Sequence, residues 1–137
     1  MLQQETGYRI CQLARRIHQQ LAVKLQAYDV TPEQWAAVRF LQAYEGISQK
    51  ELSMRMDKDQ NTVKAIVDRL VGKGLLRRQR NSEDRRAFCL WLTPAGQALW
   101  QQAAAVDNQY METVIKGISA AELQAFHALC ERIRQNI

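Results

Sequence analysis

The sequence predicts a mainly α fold of the α+β class, and three observations predict it. Apolar residues recur at intervals of three and four over most of the 137 residues, in segments bounded by Pro, Gly and capping side chains. One short stretch behaves differently: Phe88, Leu90 and Leu92 alternate with Ala87, Cys89 and Trp91, a period of two that belongs to a strand. Between Ser48 and Thr93 these patterns follow one another as helix, tight turn, helix, then two strands around a polar, basic loop. That order is a winged helix-turn-helix, flanked by long terminal helices that read as a dimerisation region.

The first helix is expected over about Tyr8–Tyr28, where Ile10, Leu13, Ala14, Ile17, Leu21, Leu25 and Tyr28 make one apolar stripe. Asp29-Val-Thr-Pro breaks it. Thr31 suits an N-cap, Pro32 the first helical position and Gln34 the partner in a capping box, so a second helix runs to about Tyr44 with Trp35, Val38, Leu41 and Tyr44 turned inward. Glu45-Gly46 ends it, and Ile47 is placed to add a short strand to the wing sheet. Ser48 and Glu51 have capping-box spacing at the head of a third helix that buries Leu52 and Met56. A tight turn between Met56 and Asp59 leads into the fourth helix, whose Val63, Ile66, Val67 and Leu70 share a face and which Gly74 terminates. Leu75 to Arg80 and the strand ending at Leu92 form a hairpin across Asn81-Ser-Glu-Asp-Arg-Arg86. Thr93 and Pro94 start a helix with Leu99, Ala103, Val106, Tyr110 and Val114 on one stripe, expected to reach about Lys116 and stop at Gly117. Ser119 and Glu122 cap the last helix, striped with Leu123, Phe126, Cys130, Ile133 and Ile137.

Charge is concentrated. The formal net charge is +5; residues 60–86 hold eight of the nineteen Lys and Arg and three of the fourteen acids, so the rest of the chain is neutral. A basic patch confined to a helix-turn-helix and its hairpin is the electrostatic footprint of a polyanion partner. Gln60, Asn61, Thr62 and Lys64 crowd the start of the fourth helix, where a recognition helix meets base edges in a major groove. The predicted DNA contacts on the helices and the basic hairpin are Ser48, Gln60, Asn61, Thr62, Lys64, Arg69, Arg77, Arg85 and Arg86. For Arg69, a phosphate contact and an ion pair with a wing acid both stay open, and Asp68 has the option of a wing arginine. Reading duplex DNA in half-sites favours a two-fold pair, and the terminal stripes are longer than one small core can cover, which points to a homodimer.

No Walker-type phosphate loop appears, and two histidines leave few bases for a triad, so no catalytic residues, metal ligands or cofactors are predicted and the chain reads as a non-enzyme. His127-x-x-Cys130 puts two soft ligands on one helical face, with His18 or Cys11 the other candidates, but Cys130 also fits an ordinary apolar stripe. Cys11, Cys89 and Cys130 are odd in number and lack C-x-x-C spacing, which reads as reduced thiols. No apolar run of about 18 residues and no signal-peptide pattern is present, so the expected address is the cytoplasm, without a membrane partner.

Ser48-Gln-Lys-Glu-Leu52, Asn61-Thr-Val with Val67-Asp-Arg-Leu-Val-Gly-Lys-Gly-Leu75, and Asp84-Arg-Arg86 leading to Leu92-Thr-Pro-Ala-Gly96 resemble the MarR family of winged-helix transcription regulators, and the resemblance covers nearly the whole chain. It implies one domain over residues 1–137, with a winged helix-turn-helix DNA-binding lobe at 31–93 and a helical dimerisation region at 1–30 and 94–137. It implies an obligate homodimer on a pseudo-palindromic double-stranded operator, with Arg86 entering the minor groove and Asp84 orienting it. It also implies a repressor released by a small aromatic or anionic effector; His18, Trp35 and Arg39 are the residues placed for such a ligand. Redox or metal sensing on the same fold, and a winged helix used to dock proteins, are the alternatives.

Overall fold

The computed structural model describes residues 1–83 and 87–137, so the expectations for Asp84, Arg85 and Arg86 lie outside the described residues. The elements follow the predicted order: α1 (Leu2–Leu25), a 3-10 turn (Gln26–Tyr28), α2 (Pro32–Ala43), α3 (Gln49–Met56), α4 (Gln60–Gly72), β1 (Leu76–Arg80), β2 (Phe88–Leu92), α5 (Pro94–Val114) and α6 (Ala120–Gln135). The fold is mainly helical with one small antiparallel sheet, a winged helix-turn-helix. It divides into two compact units, Met1–Asp107 and Asn108–Ile137.

Helix boundaries are set by caps. α1 begins earlier than Tyr8, because Gly7 lies on an open helical surface where glycine only weakens a helix. It tightens to 3-10 geometry before Asp29, whose left-handed backbone (φ 55°) ends it. At α2 the capping box forms in full: Thr31 Oγ1 accepts from the Gln34 N–H at 3.1 Å, and Gln34 Oε1 accepts from the Thr31 N–H at 3.2 Å. At α3 only half of the expected box forms. Ser48 Oγ accepts from the Glu51 N–H at 3.0 Å, but the Glu51 carboxylate turns to Arg55, one helical turn on, with a contact of 3.2 Å. The full box recurs at α6 between Ser119 and Glu122.

α4 ends in a Schellman motif. The Leu75 N–H donates to the Leu70 carbonyl and the Gly74 N–H to the Val71 carbonyl, both at 3.0 Å, while Gly74 takes φ +76°. That reversal starts β1 at Leu76, one residue later than the sequence pattern suggests. β1 and β2 pair antiparallel with Leu76 opposite Leu92 and Arg78 opposite Leu90. The third strand expected at Ile47 shrinks to one bridge, Ser48 with Cys89, in which the Leu90 N–H donates to the Ile47 carbonyl at 2.9 Å. Ser48 already starts α3, so the chain cannot stay extended.

The core of the first unit joins Leu25, Trp35, Val38, Leu41, Leu52, Val63, Val67, Leu70 and Leu90. Each such side chain contributes roughly 1.5–3 kcal/mol of burial. Tyr44, expected on the inner stripe of α2, is exposed. The helix stops at Ala43 and the Tyr44 backbone (φ −132°, ψ 74°) leaves the helical face, so its ring lies under the Arg55 guanidinium at 3.7 Å. Gly96 explains the Leu-Thr-Pro-Ala-Gly motif: a Cβ there would come within 2.1 Å of the Leu75 carbonyl oxygen. The first turn of α5 thus crosses directly over the end of α4, pinned by Thr93 Oγ1, which donates to the Gly74 carbonyl at 2.6 Å. α5 stops at Val114, just short of the predicted end, and Gly117 turns the chain with φ +84°.

The terminal stripes behave differently. α1 buries only Leu25, leaving Leu2, Ile10 and Leu13 exposed. α6 buries none of its residues, and Phe126, Leu129 and Ile133 face solvent.

Candidate nucleic-acid interface

α4 is amphipathic in a way that separates support from contact. Val63, Ile66, Val67 and Leu70 are buried, and Gln60, Asn61, Thr62, Lys64 and Arg69 on the remaining faces are all exposed. Its N-terminus is fixed by Asp59, an N-cap not singled out from the sequence. Asp59 Oδ1 accepts from the Thr62 N–H at 2.8 Å and Oδ2 from the Thr62 hydroxyl at 3.0 Å. The Thr62 backbone, then its hydroxyl, holds the Asp59 carboxyl below the usual aspartate range. Thr62 is therefore committed to the cap, while Gln60 and Asn61 stand beside it at the end of the helix.

The exposed residues divide into two rows. Thr62 and Arg69 line a cleft with Ala65 and Ile66 of α4 and with Thr31, Glu33 and Gln34 at the head of α2. Among the described residues Arg69 has no ion-pair partner, so its pairing with the loop acid Asp84 stays outside the described residues. Lys64 belongs to the other row. Its Nζ donates to Asp68 Oδ2 at 2.9 Å, and the guanidinium of Arg78 on β1 donates to Asp68 Oδ1. The wing-arginine option for Asp68 is the one realised. Hydrogen bonds first from Arg78 and then from Lys64 hold the Asp68 carboxyl below its usual range.

Not every base in the patch is directed outward. Lys73 anchors the end of α4: its Nζ donates to the Asp29 carbonyl and, at 3.1 Å, to Gln34 Oε1, a buried amide. Arg77 is exposed on the outer face of β1, with its guanidinium 5.3 Å from the Trp91 ring and Nη1 donating to Gln79 Oε1 at 3.2 Å. Ser48 is half-buried and its hydroxyl serves as the α3 cap. Periodicity does not reveal Asp59, Asp68 and Lys73 as the residues that hold this surface; the available signals were an Asp directly before a helix, the i,i+4 spacing of Lys64 and Asp68, and the wing-arginine option for Asp68.

The three candidate ligand residues fall into two groups. His18 Nε2 lies 2.7 Å from Glu33 Oε1, joining α1 to the start of α2. Burial raises the Glu33 carboxyl, but the hydrogen bonds from His18 and from its own backbone outweigh it and leave the group below the usual range. Trp35 is 2 % exposed, so its ring belongs to the core, and its indole N–H donates to Asp107 Oδ2 at 2.9 Å. Arg39 reaches the same carboxylate at 4.0 Å. Cys11 and Cys130 are exposed and Cys89 is half-buried; all three are free thiols. Among the described residues no group of three or more His, Cys, Asp or Glu is placed to hold a metal ion, and no helix is long and apolar enough to cross a membrane.

The MarR family model matches residues 30–88, which is α2 through the start of β2. Over 105 residues the chain is 33% identical to a protein of Thauera aromatica described as a transcriptional regulatory protein for the hcr operon, a match covering 76% of this chain and 63% of that protein. The chain thus spans under two thirds of that relative's length. The PcaV transcriptional regulator of Streptomyces coelicolor, solved with its natural ligand, is 26% identical with a TM-score of 0.78, covering 90% of this chain and 89% of PcaV. A cysteine-to-serine variant of MarR from E. coli, solved with operator DNA, shares the fold at 24% identity and a TM-score of 0.85, covering 93% of this chain and 91% of that one. Motifs, fold and relatives agree: the chain belongs to the MarR family of winged-helix transcription regulators.

Proposed function

We propose that this chain is a sequence-specific, double-stranded DNA-binding transcriptional regulator that acts as a homodimeric repressor on a pseudo-palindromic operator. One observation carries the reading. The exposed row of Gln60, Asn61 and Lys64 stands on a helix whose other face is fully buried, within the segment that holds the whole net charge of the chain. A rigid polar helix face in a positive field suits base edges and phosphates together. Arg69 and Arg77 supply backbone contacts. Arg86, with Asp84 and Arg85, reaches the adjacent minor groove, a role resting on the Asp-x-Arg pattern of the sequence.

Residues 31–93 serve as the DNA-binding lobe, and 1–30 with 94–137 form the dimerisation region. The unburied apolar residues of α1 and α6 support this, since a second copy is the simplest cover for them. Release by a small aromatic or anionic effector is supported by the ligand complex of PcaV and by the polar contacts His18–Glu33 and Arg39–Asp107 between the elements that carry the candidate ligand residues. The site of action is the cytoplasm, and the chain performs no catalysis of its own.

Selection of bound sequences from a random duplex pool tests DNA binding, specificity and site symmetry at once. The expected outcome is an enriched inverted repeat, bound with strong salt dependence, by a species of twice the chain mass in sedimentation. A pool that never enriches, with duplex retention indifferent to salt, would replace this reading with a protein-docking winged helix.

A further inference from the structure

The recognition helix carries one acid. Asp68 is the only Asp or Glu between Gln60 and Gly72, and it stands inside the basic patch. Both of its carboxylate oxygens are occupied, each by a cation from a different element. Lys64, one helical turn earlier, takes Oδ2 at 2.9 Å, and Arg78 of the wing takes Oδ1. Arg78 is the more enclosed partner, 24% exposed, with its guanidinium 5.6 Å from the Phe88 ring. Lys64 therefore lies along the helix toward the wing, bridged through one carboxylate to β1.

As a contact that stabilises the fold, an exposed pair of this kind is worth little. Its consequence for a polyanion is larger. The phosphates of an arbitrary duplex have to compete with Asp68 for Lys64 and Arg78, exchanging one anion for another, so these cations add little to binding that depends on phosphate contacts alone. At the cognate site the same bridge presents Lys64 and the wing strand in a fixed mutual arrangement. We infer that Asp68 is a positioning residue that withholds Lys64 and Arg78 from non-specific phosphate contact and thereby sets the ratio of specific to non-specific DNA affinity. This rests on the DNA-binding reading above.

The test compares the full-length wild-type chain with Asp68→Asn, which keeps the side-chain shape and removes its charge. Each is titrated with the selected operator and with a scrambled duplex over a range of salt. Freed cations gain phosphate contacts, each adding about 0.9 to the magnitude of the salt slope, so the slope on scrambled duplex should steepen by about 1–2. Affinity for scrambled duplex should rise roughly three- to tenfold near 0.1 M salt while operator affinity changes less, so that the ratio falls. The melting temperature should stay close to that of the wild type. In a Lys64→Gln background the Asp68→Asn increment in slope should shrink; an undiminished increment would mean a general charge effect and overturn the inference. An unchanged ratio and slope would overturn it too, as would equal loss on both duplexes with a lowered melting temperature, which marks a purely structural role. Salt-indifferent retention of the wild-type chain would instead remove the DNA-binding reading itself.

Discussion

The lobe built by α2, α3, α4 and the hairpin and the C-terminal helix α6 have similar sequence patterns and opposite fates. Both carry apolar residues at three and four, and both are capped by a serine three residues before a glutamate. In the lobe the stripe of α4 is buried against α2, α3 and β1. In α6 no residue is buried, and Phe126 stays 57% exposed. Amphipathicity identifies a face that needs cover without saying what covers it. In the lobe, neighbours in the same chain do so. In α6 the stripe is left for another surface, which is why dimerisation is proposed there.

Core truncation sharpens this contrast most. Leu70→Ala in α4 should lower the unfolding free energy by about 2–5 kcal/mol, through lost burial and a residual cavity. Phe126→Ala should change the stability of a dilute, dissociated chain by within about 0.5 kcal/mol. Denaturant titrations at low and high protein concentration measure both. A large, concentration-independent loss in Phe126→Ala would show that α6 is covered from within the chain.

Gly96→Ala probes how closely the first turn of α5 approaches the lobe. With the Leu75 carbonyl oxygen 2.1 Å from the position of the new Cβ, backbone has to move, and a loss of about 1–3 kcal/mol is expected. Gly72→Ala, on the open surface of α4, is the control and should be neutral or stabilising by up to about 1 kcal/mol. Equal melting temperatures for the two variants would mean that the close crossing does not hold in solution.

The two serine caps give a smaller effect. Ser48→Ala should destabilise the lobe by about 1 kcal/mol. Ser119→Ala removes a complete capping box, yet should mainly fray α6 and leave the lobe's cooperative transition in place. Residue-resolved hydrogen exchange separates the outcomes: faster exchange confined to the start of α6 is expected for Ser119→Ala. Protection lost throughout the lobe in that variant would break the contrast.

The smallest effect is in the pH dependence of the lobe. Glu33 has its carboxyl lowered in the folded chain. A depressed folded pKa contributes stability that is present above the unfolded value and lost as pH falls through the folded one. Melting temperature should therefore decline through the acidic carboxylate range, slightly less steeply in Glu33→Gln. Parallel wild-type and variant curves there would show that the His18 contact has no energetic weight, as many exposed pairs have none.

Much of the molecule was legible in advance for a definite reason. Caps, breakers and periodicity act within a few residues, so Thr31, Gln34, Gly74, Ser119 and Glu122 announce their elements without tertiary help. The face of α4 that is buried, and hence the face left exposed, follows from Val63, Ile66, Val67 and Leu70 alone. The misreadings were also local in origin. Tyr44 continued a helical stripe that the backbone had already left, and Glu51 found Arg55 a turn away instead of closing its box.

The pairing of groups distant in sequence depends instead on packing in three dimensions. Asp68, already an i,i+4 partner of Lys64, meets Arg78 because the wing folds back beside α4; Trp35 of α2 meets Asp107 of α5 across a separation of 72 residues. Side-chain type and spacing carry no record of such meetings, since a charged residue on a helix is equally compatible with solvent, with a phosphate and with a partner on another element. Which elements form, where they stop and where the positive charge lies can be read from the residues alone, because those depend on short-range sterics, capping and composition. The three-dimensional packing decided which of those charges are left for a partner and which are already held.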